Sequence, residues 1–76
     1  MNSGVHIEPV TDLGTIASVI ALSYGDLFPG DFFRVDGECY MVNRENGDNV
    51  LCRVSGDVDA ARKMAESIRA RYLSGE

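Results

Sequence analysis

The sequence predicts an α+β domain spanning residues 1–76: a small antiparallel β-sheet, meander or partial barrel, with one C-terminal α-helix. Two observations carry this. Residues 31–54 read DFFRV-DG-ECYMVNRE-NG-DNVLCRV, three apolar-rich runs separated by Asp36-Gly37 and Asn46-Gly47. A two-residue type I′ turn needs positive φ at both central positions, and Asp-Gly and Asn-Gly tolerate that geometry best. From Val58 to Leu73, Val58, Ala61, Ala65, Ile68 and Tyr72 recur on one helical face with Met64 beside them, while Arg62, Lys63, Glu66 and Arg69 lie outside it. At 76 residues the chain holds one domain, near the lower size at which a single core suffices.

Taken in order, residues 1–4 are expected to fray. Val5-His6-Ile7-Glu8 alternates apolar and polar and reads as a short strand, which Pro9 ends or confines to an edge because it lacks an N–H. The segment Thr15–Ser23, TIASVIALS, is read as a strand on its β-branched content. Ile16, Val19 and Ile20 also fit one helical face with Asp12 as N-cap, so a helix stays open as the alternative. Residues 24–30 form a loop in which Pro29-Gly30 suits a type II turn. After the meander, Asp57 is the expected N-cap of the final helix.

The two turns fix the register. Phe33 faces Tyr40, Phe32 faces Met41, Met41 faces Cys52 and Cys39 faces Val54. One sheet face then carries Phe33, Val35, Tyr40, Val42 and Leu51, and the other carries Phe32, Cys39, Met41, Val50, Cys52 and Val54. Both are apolar, and one helix covers only one. If residues 15–23 do not close the second, Phe32, Met41 and Val50 stay uncovered. A patch of that kind marks an interface, either a homodimer or a protein partner.

A net charge of −5 argues against non-specific binding to nucleic acid or an anionic membrane. No run approaches the roughly 18 apolar residues of a membrane span. The start, MNSGVHIEPV, has no basic head before an apolar block, so no signal peptide is expected. Two cysteines without an export signal point to reduced thiols in the cytoplasm.

The candidate chemistry is thin. Cys39 and Cys52 share a face but do not form a C-x-x-C motif, and with His6 as the single histidine a zinc site is poorly supplied. They read as buried thiols. His6 beside Glu8 resembles a base and its orienting partner, but no nucleophile is placed near them. Asp36, Glu38, Asp57 and Asp59 could gather at one edge to hold a cation or meet a basic surface, although each has a local reason to be acidic. Arg34, Arg44 and Arg53 with Tyr40 suggest an RNA-binding sheet, but Arg34 and Arg53 fall on opposite faces. No catalytic, cofactor-binding or metal-ligating set is assigned. Phe32, Met41, Val50, Asp36, Glu38 and Asp59 are the candidate partner-binding residues.

Gly25-Asp26-Leu27, Pro29-Gly30-Asp31-Phe32-Phe33, Gly37 and Tyr40-Met41-Val42 together resemble a kind of small phage-encoded accessory protein with a D-L-x-x-G-D-x-F core, a hairpin and a Y-M-V-like strand. The resemblance covers about residues 24–54. It implies a non-enzymatic protein, needing no cofactor, that binds a host protein stoichiometrically in the bacterial cytoplasm, inhibitors of bacterial defence systems being among such proteins. The alternatives are a protein that sequesters a nucleotide at a dimer interface, or a virion structural or assembly protein.

Overall fold

Both turn dipeptides form the turns their chemistry requires. Asp36 and Gly37 adopt φ of 51° and 79°, and Asn46 and Gly47 adopt 53° and 86°. The computed structural model, which describes residues 4–75, builds a four-stranded antiparallel sheet on these hairpins. The strands are β1 (Val5–Pro9), β2 (Phe32–Val35), β3 (Glu38–Glu45) and β4 (Asp48–Gly56), in the spatial order β1-β4-β3-β2. The register is the expected one, with Phe32 opposite Met41, Met41 opposite Cys52 and Cys39 opposite Val54. Glu45 stands opposite Asp48, so the Asn-Gly turn holds without a bulge despite that like-charge pair.

The first strand closes the other edge. β1 pairs with β4 from Val5–Gly56 to Pro9–Cys52, and the Val10 N–H reaches the Leu51 carbonyl at 2.9 Å just beyond it. The expected fraying of residues 1–3 lies outside the described residues. Gly4, expected to fray with them, is instead tied down: its carbonyl accepts the Asp57 N–H at 3.3 Å. Gly56, at φ 90°, lies so close that a Cβ there would sit 1.8 Å from the Gly4 carbonyl oxygen.

The reading of Thr15–Ser23 as a strand is corrected: a helix, α1, spans Leu13–Leu22, the alternative left open for that segment. Its N-cap is Asp12, whose carboxylate accepts the Thr15 N–H at 2.8 Å and the Thr15 hydroxyl at 2.6 Å. The second helix, α2 (Val58–Leu73), starts as expected on Asp57, which accepts the Ala60 N–H at 3.1 Å.

Each helix covers one sheet face. Against α2, Cys39, Met41 and Val54 pack with Ala61, Ala65 and Ile68, edged by Val5, Ile7, Phe32 and Val58. Against α1, Tyr40, Val42 and Leu51 pack with Val19, edged by Val10, Ile16, Leu27, Phe33 and Val35. A central sheet apolar on both sides therefore has two thin covers instead of one cover and one interface.

The loop before β2 is fastened to α2. Phe28 O accepts the Asp31 N–H at 3.0 Å around Pro29-Gly30, with Gly30 at φ 89°, as a type II turn requires. Arg69 donates from Nε to the Pro29 carbonyl at 2.8 Å and from Nη2 to the Asp31 carboxylate. Gly30 N–H reaches the Val42 carbonyl at 2.8 Å, and Val42 N–H reaches the Asp31 carbonyl at 2.9 Å, so the loop extends the β2 edge of the sheet.

Candidate functional site

The expected patch of Phe32, Met41 and Val50 is not an open surface. Met41 is 0% exposed beneath α2, and Phe32 and Val50 are half-buried. The Phe32 ring is further covered by the Arg62 guanidinium, 5.0 Å from its centroid. The correction has a simple cause: the small residues Ala61 and Ala65 let α2 lie close over Met41.

Of the acidic residues, Asp36 and Glu38 come together at the β2–β3 turn, lining a shallow recess with Asp12, Thr15 and Ser18 from the start of α1. Asp57 is occupied as a cap and Asp59 sits exposed in the first turn of α2, outside that recess. Among the described residues no group of three or more His, Cys, Asp or Glu is arranged to hold a metal ion. Hydrogen bonds from the Thr15 hydroxyl and N–H hold the Asp12 carboxyl below its ordinary range. Glu38 lies 4.0 Å from Arg53, whose guanidinium sits 5.6 Å from the Tyr40 ring centroid.

Strand pairing adds one juxtaposition that the sequence does not reveal. His6 Nε2 lies 3.6 Å from Glu8 Oε2, and β4 sets Ser55 opposite His6. Hydroxyl, imidazole and carboxylate thus stand on one sheet surface. All three are exposed, and no hydrogen bond joins Ser55 to His6 among the described residues. An open trio of this kind lacks the nucleophile–base contact that acyl transfer needs. Cys39 and Cys52 are buried free thiols, and burial, reinforced by Glu45, pushes the Cys52 thiol up. A raised thiol is a poor nucleophile.

The surface that stands out is the outer side of α1. Its sequence, LGTIASVIAL, contains no charged residue in a chain that is 25% charged. Of its side chains only Val19 is fully buried. Leu13 is 80% exposed, Leu22 is 55% exposed, and Tyr24, just past the helix, is 95% exposed. Leu13, Ala17 and Ala21 recur at intervals of four and are all exposed, so they share one outward side of the helix, while Tyr24, at φ 57°, lies past its end. The segment is apolar nearly all round, a composition that favours burial. A ten-residue helix on a flat sheet has a far side, and that side faces water. No helix among the described residues is long and apolar enough to cross a membrane.

Comparison with protein-family models, with curated proteins and with solved structures found no match to this chain.

Proposed function

We propose that the chain is a non-enzymatic binding protein that engages one protein partner stoichiometrically through the outer side of α1. The observation that carries this reading is the exposure of Leu13 on an uncharged helix and of Tyr24 just past its end. Large apolar side chains exposed along a charged surface favour cover by a partner, and tyrosine is over-represented among residues that dominate binding energy. The acidic recess of Asp12, Asp36 and Glu38 adjoins the start of the same helix. It suits a partner with an apolar centre and a basic rim, the carboxylates setting orientation and association rate. The similarity to small phage accessory proteins supports a host protein as that partner and occlusion, including inhibition of a defence system, as the mode of action.

The test is affinity capture from a bacterial lysate with wild type, Leu13→Glu/Tyr24→Asp, and Asp36→Lys/Glu38→Lys. The reading expects one stoichiometric protein with wild type and its loss with the first variant, whose circular dichroism stays native. With the second variant, capture should weaken in a salt-dependent manner. Undiminished capture by the folded α1 variant would place the interface elsewhere and sink the proposal.

A further inference from the structure

Two cavities run side by side along the flank of α2, at the point where β3 outlasts β2. β2 pairs with β3 only as far as Met41, and the loop at Gly30–Asp31 holds Val42. Beyond that the outer edge of β3 has no strand, and the Arg44 N–H is satisfied by the Asn43 carboxamide oxygen at 2.8 Å. The first cavity, about 220 Å³, opens there between the β3–β4 turn and the last turns of α2, with Arg44, Asn46, Arg71 and Tyr72 in its walls. The second, about 310 Å³, continues along the helix past Met41, Met64 and Ser67. Asn43, Ile68 and Arg71 border both. One end is cationic and the other apolar.

The cationic end is unusual for this molecule, where 12 acidic residues face 7 lysines and arginines. Arg69 is paired with Asp31 and Arg53 with Glu38. Arg44 and Arg71 have no carboxylate within ion-pair distance among the described residues, yet they share one cavity. Arg44 is held in place by the Asn49 carboxamide oxygen at 3.1 Å and by the Tyr72 ring, 5.3 Å from its guanidinium carbon. Most of its five N–H donors stay free in a fixed fork that suits a tetrahedral oxyanion. The C-terminus of α2 would oppose an anion through its carbonyls. Those carbonyls are occupied: Ala70 O accepts from Ser74 N–H at 3.1 Å, Arg71 O from the Ser74 hydroxyl at 2.9 Å, and Tyr72 O from Gly75 N–H at 3.1 Å. Glu45 and Asp48 flank the turn and count against an anion, but neither is in the cavity wall.

We propose that this groove binds a compact phosphomonoester, its phosphate between Arg44 and Arg71 and its apolar or aromatic body against Ile68 and Met64. The site is independent of the α1 surface. NMR titration of the ¹⁵N-labelled chain at fixed ionic strength tests it, with phenyl phosphate and inorganic phosphate as probes. Phenyl phosphate should give saturable shifts at the Arg44 and Arg71 side-chain N–H groups and at residues 43–47. Inorganic phosphate should shift the same groups more weakly. Arg44→Gln and Arg71→Gln, both at exposed positions, should each weaken phenyl phosphate about tenfold or more, the loss of a charge-assisted contact. Met64→Ala should weaken phenyl phosphate and leave inorganic phosphate unchanged. No saturable shift at millimolar probe, shifts surviving in the double arginine variant, or equal affinity for the two probes would overturn the assignment. Leu13→Glu/Tyr24→Asp should leave this titration unaltered, so the failure of either proposal is seen separately.

Discussion

Gly30 and Gly47 share a left-handed backbone, φ 89° and 86°, but differ in their surroundings. A Cβ at Gly47 meets nothing within 4 Å, whereas one at Gly30 would lie 2.6 Å from the Ala65 carbonyl oxygen and 2.6 Å from Arg69 Cβ. Gly47→Ala is therefore expected to cost about 1 kcal/mol, the left-handed penalty alone. Gly30→Ala adds the displacement of α2 and should cost at least twice as much in urea unfolding; equal losses would mean that the loop does not seat on the helix. The same seat depends on Arg69. Arg69→Met keeps much of the stem's packing and removes the bonds to Pro29 O and Asp31. A loss of roughly 1–2 kcal/mol is expected, since hydrogen bonds to a charged group are worth about 1.5–3 kcal/mol and this one is partly solvated. That is a drop in Tm of about 4–8 °C per kcal/mol for a domain of this size. Asp12 gives a pH signature. Its folded pKa is depressed, so its contribution is present above the unfolded value of about 4 and fades as pH falls through the lower folded value. Amides in the first turn of α1 should lose exchange protection over that acid window in wild type, and the pH dependence should vanish in Asp12→Asn.

At the scale of the elements, the turns, the register and α2 were legible because each rests on local chemistry. Positive-φ dipeptides, period-two alternation and a capped 3.6-residue stripe all read directly from neighbouring positions. The segment 13–22 was misread because Ile16, Val19 and Ile20 favour a strand by intrinsic preference. Two things outweigh that preference: Asp12 captures both the Thr15 hydroxyl and its N–H, and Tyr40, Val42 and Leu51 need an apolar cover. The placement of β1 beside β4, which brings Ser55 to His6, depends on a pairing some 50 residues apart that no local signal encodes. The groove at Arg44 was illegible for a related reason, since it exists only where strands of unequal length meet α2. For α2 itself, Ile68→Ala should cost about 2–4 kcal/mol, because Ile68 is buried against Met41 and Val54. A thermal midpoint unchanged within error would mean that the helix does not dock on that face.

Across the whole molecule, the distribution of apolar residues separates a cover that is mainly structural from one with a free side. Met41 lies at the centre of the α2 side, fully buried, so Met41→Glu should abolish the native circular dichroism signal and not merely an association. Leu13→Glu should leave that signal intact. The two helices also differ in how firmly they are attached. α2 buries Ala61, Ala65 and Ile68 and is tied to the loop through Arg69, whereas α1 fully buries Val19 alone, keeps Ile16 and Ile20 half-buried, and leaves Leu13 and Leu22 largely to solvent. Local opening free energy follows buried apolar contact, so α1 belongs at the low end of the stability range and the central β3–β4 pair at the high end. Hydrogen exchange under native conditions should show this order: β3, β4 and the middle of α2 opening only with global unfolding, and residues 16–22 exchanging through a sub-global opening that adds little denaturant dependence. A helix held this loosely can adjust to a partner, and a partner that covers Leu13 and Tyr24 should raise protection of 16–22 towards the global value. Protection of α1 equal to that of β3 in the free chain would mean that the helix is as firmly docked as the core, and the adjustable-helix account would then fail.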